Sequence, residues 1–391
     1  MPGAGVDGDA PLANGVALYT RHTRGTARAE FHRQIRYNHP FRGLMSKPYK
    51  AVALISGGLD SLLAARVVMD QGIYVEGMNF FTGFCVEGHT HAIRKQRAAR
   101  PKRNNALWVA EQLGIRLHIL DIIEEYKEVV LNPKHGYGAN LNPCLDCKVF
   151  MVRKAHEWMQ ARGFDFIITG EVIGQRPKSQ RRVNLPVVAR ESGAQDRLVR
   201  PLCARNLPPT LPEREGWLER DRLHAFNGRS RKPQIALAAH YGFTDYAQPA
   251  GGCCFLTDRQ YAVKLADLWQ NRGVRDYELD DIMLLKVGRH LRPRPHFKLI
   301  VGREEGENRY LEGYRRRFAH LTPISHPGPL VLVDGAAGPD DLQLAARITA
   351  RFSKGRDAAQ VTVAVTGMDG ATRHSTVSPL PAEQILQEWY L

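Results

Sequence analysis

From residue 50 onward the chain alternates between short apolar runs and segments whose apolar residues recur at helical spacing. Ala51-Val52-Ala53-Leu54-Ile55 is an unbroken apolar run of the kind that forms a strand buried on both faces of a parallel sheet. Leu62, Leu63, Ala65, Arg66, Val67, Val68 and Met69 then fit a helix that stops at Gly72. Residues 73–80 and 116–121 predict two more strands, with a basic helical stretch over 98–113 between them. A helix over 148–162 and a strand over 164–171, ending at Gly170, complete the series. Such alternation predicts an α/β fold, a doubly wound parallel sheet, in a domain over residues 47–245. Beyond residue 181 the rhythm loosens, although 213–225 and 233–240 still look helical. Residues 246–275 read as a linker carrying Cys253 and Cys254, and 276–391 as a second, smaller α/β domain. Residues 1–46 show no hydrophobic period and are expected to be a flexible basic extension, with 1–44 dispensable for chemistry.

Charge changes the picture more than composition does. A net charge of +15 points to a polyanionic partner such as RNA, bound through counterion release; a generally cationic surface is the plainer reading. No apolar stretch approaches the roughly 18 residues of a membrane span, and the N-terminus has no leader-like apolar core. A cytoplasmic protein with no membrane partner is expected. Six cysteines are too few for a disulfide scaffold in 391 residues, so a clustered subset is expected to serve metal or redox chemistry.

The first candidate site follows the first strand. Ser56-Gly57-Gly58-Leu59-Asp60-Ser61 lies between a buried strand and a helix, where α/β sheets bind ligands and a helix N-terminus favours phosphate. The glycines permit close backbone approach, and Ser56 and Ser61 supply hydroxyls. Neither the Walker spacing nor the dinucleotide Gly-x-Gly-x-x-Gly pattern is present. The run closely resembles the PP-loop of ATP pyrophosphatases. That resemblance implies binding of the pyrophosphate portion of ATP by residues 56–61, with Asp60 positioning phosphates or Mg²⁺. Asn79 and Phe80, at the end of the second strand, are candidate adenosine contacts.

The second candidate is Asn142-Pro143-Cys144-Leu145-Asp146-Cys147-Lys148, two thiols just before a helix. Half of a zinc site, a redox dithiol and two ligands of an iron–sulfur cluster all fit that spacing. The segment resembles the Asn-Pro-Cys-x-x-Cys-Lys stretch of PP-loop tRNA thiolation enzymes. Thr169-Gly170-Glu171-Val172-Ile173-Gly174-Gln175, continuing to Ser179-Gln180, is similar to a motif of the tRNA 4-thiouridine synthases. The resemblance implies nucleotide-site roles for Gly170, Glu171, Gln175, Ser179 and Gln180. It also implies either a 4Fe–4S cluster on Cys144, Cys147 and one of Cys253 or Cys254, or persulfide chemistry at the same thiols. Cys85 and Cys203 sit in apolar contexts and are expected to be buried small hydrophobes.

Lys286-Val287-Gly288-Arg289-His290, followed by Val301-Gly302-Arg303 and Glu307-Asn308, resembles the NFACT-R type of RNA-binding module. Arg289 and Arg303 are thereby candidate phosphate contacts, and Lys178, Arg181 and Arg182 follow the Gly-Gln motif as a second basic group. Further basic residues are Arg94, Lys95, Arg97, Arg100, Lys102 and Arg103, and the run Arg229 to Lys232. His89 and His91 lack a third metal ligand nearby and read as loop residues.

The resemblances together imply ATP-dependent sulfur transfer to a uridine-type base of tRNA or other RNA. The base would be adenylated, AMP and pyrophosphate released, and sulfide or a persulfide carrier would supply the sulfur. Two rivals stay open: a PP-loop ligase using a nitrogen nucleophile, and a non-catalytic, nucleotide-dependent RNA-binding protein. Oligomeric state is not legible in the sequence.

Overall fold

The computed structural model describes residues 18–21, 49–86, 103–247 and 253–391. His89, His91 and the basic residues from Arg94 to Lys102 lie outside them. Proximity divides the chain into two units that are not consecutive in sequence. The first holds residues 1–80, 104–122 and 148–249; the second holds 81–103, 123–147 and 250–391.

The first unit contains the expected parallel sheet. Strands β1 (Leu18–Arg21), β2 (Lys50–Leu54), β3 (Tyr74–Phe81), β4 (Leu117–Asp121), β5 (Phe166–Ile168) and β6 (Leu198–Val199) are ordered β1-β4-β3-β2-β5-β6. Strand β1 pairs with β4, β2 with β3 and β5, and β5 with β6, each in parallel. Central β2 is apolar on both faces because helices pack there. Ala51 and Val52 are fully buried, as are Leu62, Leu63 and Val68 of helix α1 (Leu59–Met69). Helix α2 (Asn105–Leu113) starts at Asn104, whose side chain accepts from Ala106 N at 2.9 Å and Leu107 N at 3.1 Å. Edge strand β1 falls inside the segment read as an extension; four residues are too few for a period to register.

Two expectations are corrected. Residues 213–225 do not form one helix: the structure has Leu211–Arg214, then a left-handed Gly216 (φ 68°), then a single 3-10 turn at Arg220–Arg222. Capping by Thr210 and Glu213 starts a helix that Gly216 ends at once. The helix after the cysteine motif begins at Cys144 itself and runs to Ala161, so both thiols lie in its first turn rather than ahead of it.

In the second unit six strands form an antiparallel sheet: β7 (Arg289–Arg294), β8 (Phe297–Val301), β9 (Ala319–Pro323), β10 (Val331–Gly335), β11 (Val361–Thr366) and β12 (Thr372–Val377). The spatial order is β12-β11-β9-β10-β8-β7. Leu299, Val301, Val331 and Val363 meet the buried alanines of the helix Pro339–Arg351 in its core.

A phosphate cradle and a thiol cluster as candidate functional sites

Residues 56–61 leave the carboxyl end of β2 and enter α1, with Gly58 as the N-cap. Two glycines set the loop's shape. Gly57 has φ +79°, and a Cβ there would stand 2.7 Å from Asn105 Cβ. A Cβ on Gly170 would stand 2.5 Å from the Asp60 carbonyl carbon and 2.6 Å from Ser61 N. Backbone from the far strand end therefore presses directly on the loop, which only glycine permits. The Ser61 hydroxyl donates to Gly58 O at 2.8 Å and must leave that bond to reach a phosphate. Ser56 is exposed, with its Oγ 3.5 Å from Ser61 Oγ.

Asp60 is held by a chain of amides. Gln234, fully buried, donates to Gln175 Oε1 at 3.0 Å, and Gln175 donates to Asp60 Oδ2 at 2.7 Å. Asp60 Oδ1 is buried without a hydrogen bond, and an Arg231 guanidinium nitrogen lies 3.6 Å from it. An orphaned carboxylate oxygen of this kind fits a Mg²⁺ ion bound together with phosphates.

Other motif residues build the support. Asn79 donates its side chain to Ile55 O at 2.6 Å, fastening the strand that feeds the loop, and Phe80 is only 7% exposed. Glu171 is buried. It accepts from Arg200 Nε at 2.9 Å and Thr169 Oγ1 at 3.1 Å, with Lys148 Nζ 3.8 Å away. Burial pushes the Glu171 carboxyl up, and Lys148 and Arg200 overcome that push, holding it below the usual range. Ser179 and Gln180 are buried, and Gly174 N donates to Gln180 O at 2.7 Å, closing the turn that presents Gln175.

The second unit gathers five of the six cysteines. Cys144 and Cys147 are three residues apart on one helix face; Asn142 Nδ2 lies 3.3 Å from Cys144 Sγ, and the Tyr126 hydroxyl hydrogen-bonds Cys147. Cys254 lies within electrostatic reach of Cys253, Cys147 and Cys144. Its hydrogen bond with Cys253, its burial and those neighbouring charges all push its thiol up. Cys85 is paired antiparallel with Cys254 and is only partly buried, unlike the buried hydrophobe expected. Cys203 meets that expectation: it is fully buried, its thiol donates to Glu171 O at 3.2 Å, and burial pushes it up to about 11. None of the six forms a disulfide.

An iron–sulfur cluster needs three converging ligands. Among the described residues no group of three Cys, His, Asp or Glu side chains is placed to hold a metal ion, and Cys144, Cys147 and Cys253 or Cys254 form no such group.

Of the expected RNA contacts, Arg181 and Arg182 are exposed; they donate to Pro177 O at 2.6 Å and Asn206 O at 3.1 Å, and neighbouring Lys178 is half-buried. Arg289 is exposed, with its guanidinium 5.2 Å from the Phe352 ring centre. Arg303 is committed to buried Glu307, with Nε 3.0 Å from Oε1, so its charge is answered within the protein. Sequence reasoning missed Tyr126, Arg200 and Gln234, which lie in no motif; only the tertiary fold brings them to the sites. Among the described residues no helix is long and apolar enough to cross a membrane.

Two family models match separate stretches of the chain. Residues 49–195 match the tRNA methyl transferase HUP domain, and residues 288–390 match the NFACT protein RNA binding domain. The tRNA-specific 2-thiouridylase of Pelobacter propionicus is 31% identical over 131 residues, covering 31% of this chain and 33% of that protein. Its Mycobacterium bovis counterpart is 33% identical over 131 residues, covering 31% of this chain and 34% of that protein. The chain thus spans about a third of the length of these curated relatives. A solved 4-thiouridine synthetase–RNA complex with bound ATP aligns at a TM-score of 0.36 and 21% identity, over 54% of this chain and 46% of that one. Residues 49–195 are thus similar to the HUP domain matched above, in which the tRNA-specific 2-thiouridylases align, and residues 288–390 are similar to the NFACT protein RNA binding domain.

Proposed function

We propose that this protein transfers sulfur to a uridine-type base of tRNA at the expense of ATP. The observation that carries the reading is the loop at residues 56–61, where a carboxylate oxygen of Asp60 is buried without a hydrogen bond beside a cradle that excludes any Cβ at Gly57 or Gly170. The backbone N–H groups at the start of α1 receive the pyrophosphate portion of ATP, and Arg231 adds positive charge beside it. Mg²⁺, held by Asp60 when bound with ATP, supplies charge neutralisation at the phosphates.

The base's carbonyl oxygen attacks the α-phosphorus. Pyrophosphate leaves, and the base carries AMP on that oxygen, a far better leaving group than oxide. The outer sulfur of a cysteine persulfide then displaces AMP. A second thiolate attacks the inner sulfur, releasing the thiolated base and leaving a disulfide that a thiol reductant reopens. A persulfide carrier is the sulfur donor. Cys144 and Cys147, with Cys253 or Cys254, are the sulfur-carrying residues. Arg181, Arg182 and Arg289, all exposed, are the candidate RNA contacts, and the net charge of +15 suits the polyanionic substrate.

Cys144→Ala tests the reading. Thiolation of tRNA should disappear while ATP affinity stays unchanged; persistent thiolation would mean that Cys144 carries no sulfur and contradicts the proposal.

A further inference from the structure

Cys85 belongs to neither motif, and its position is more specific than burial among apolar residues. Cys85 and Cys254 are cross-strand partners in an antiparallel bridge. Phe255 N donates to Phe84 O at 2.9 Å, a backbone bond that flanks the two cysteines rather than joining them. In such a non-hydrogen-bonded pair the Cα atoms stand about 4.5 Å apart with both side chains on one face. A disulfide accepts Cα separations of roughly 4.4–6.8 Å. The opposed thiols therefore need only side-chain rotation to bond.

The surroundings favour that bond. The buried Lys286 ammonium donates to Gly83 O and stands 5.1 Å from the Phe255 ring centre, next to the bridge. Burial pulls Lys286 down to about 8, and negative charge on Cys85 and Cys254 works against that pull, so this cation and these sulfurs lie within electrostatic reach.

We propose that Cys85 and Cys254 form a reversible cross-strand disulfide, with Cys85 as the resolving thiol for a persulfide carried on Cys254. The Cys85 thiolate attacks the inner sulfur of the Cys254 persulfide, and the S–S bond to the outer sulfur breaks. That sulfur leaves with the electron pair, as HS⁻ or bonded to the acceptor base. Two thiols of a reductant regenerate the pair. This inference rests on the sulfur-transfer reading for its purpose, although the disulfide chemistry itself needs neither ATP nor RNA.

The test therefore omits both. The full-length protein is reduced, freed of reductant, treated with glutathione persulfide and mapped by mass spectrometry while released sulfide is measured. The expected product is a Cys85–Cys254 linked peptide that forms together with sulfide. Cys85→Ser should keep the added sulfur on Cys254 and slow sulfide release by roughly tenfold or more. Unchanged circular dichroism and ATP affinity would show that this variant is folded. A linkage from Cys254 to Cys144 or Cys147 in the unsubstituted protein, with Cys85 left as a thiol, would overturn the proposal whatever the variant does. Unchanged sulfide release by folded Cys85→Ser would do the same. Failure here with tRNA thiolation intact rejects only the role of Cys85; loss of thiolation with the linkage intact rejects only the tRNA reading.

Discussion

The phosphate cradle and the thiol cluster are assembled by opposite means. The cradle is mostly backbone: a contiguous hexapeptide, a glycine pressed against it from β5's end, and amides that hold one carboxylate. The cluster is all side chain, drawn from separated segments around Cys85, Tyr126, Cys144 and Cys254. A backbone site leaves its mark as a local motif, whereas a side-chain site is recognised only once distant segments have met. Each should also fail in its own way.

The largest effect is expected at the cradle. Gly170→Ala places a methyl 2.5 Å from the Asp60 carbonyl carbon, and the loop has no flexible neighbour to yield. Pyrophosphate release should fall by roughly a hundredfold, while persulfide loading of the cysteines stays unchanged. Next comes Gln175→Leu, which leaves Asp60 Oδ2 without its 2.7 Å donor. The KM for Mg-ATP should rise roughly tenfold, the cost of one unsatisfied buried polar group. If Gln175→Leu instead lowered sulfur loading with KM unaltered, the separation of the two sites would be wrong.

Tyr126→Phe sharpens the comparison from the thiol side. Loss of the hydroxyl that hydrogen-bonds Cys147 should slow sulfur transfer about fivefold, with ATP affinity unchanged in a nucleotide titration.

The smallest effect concerns the second unit's stability. His290 is buried; that burial, with the charges of Lys264 and Lys298, holds it well below the usual histidine range. Its Nε2 donates to Val287 O at 3.0 Å and Leu284 O at 3.2 Å, so the folded ring stays neutral. An unfolded histidine takes up a proton below about 6.5, so the unfolded state binds more protons in acid. Stability should be level above pH 6.5 and fall below it, approaching about 1.4 kcal/mol per pH unit from this one group. Denaturant midpoints at several pH values, compared with those of His290→Gln, measure the slope.

Legibility followed the same contrast. β2, the loop, α1, β3 and β4 were readable because buried apolar runs and glycine punctuation are local. The cysteine motif was visible, but its place in a helix's first turn was not, since Asn-Pro ahead of Cys144 suits either a loop or a cap. The break at Gly216 was hidden beneath a helix-like pattern. The second sheet's antiparallel order was not readable, because β8 pairs with β10 and β9 with β11 through contacts that short segments do not encode. The strand end at Asn79 and Phe80 was readable, but not that Asn79 fastens the strand feeding the loop or that Phe80 is buried. Cys85 looked like filler because its partner lies 169 positions further along the chain.

One measurement bears most directly on the account: the phosphorus products formed when the protein, ATP and undermodified tRNA react with a persulfide donor. Phosphorus NMR should show AMP and pyrophosphate in equal amounts, rising in step with thiolated uridine. ADP and orthophosphate in their place would mean that the loop at residues 56–61 does not direct cleavage between the α and β phosphorus atoms, and the central claim would fall.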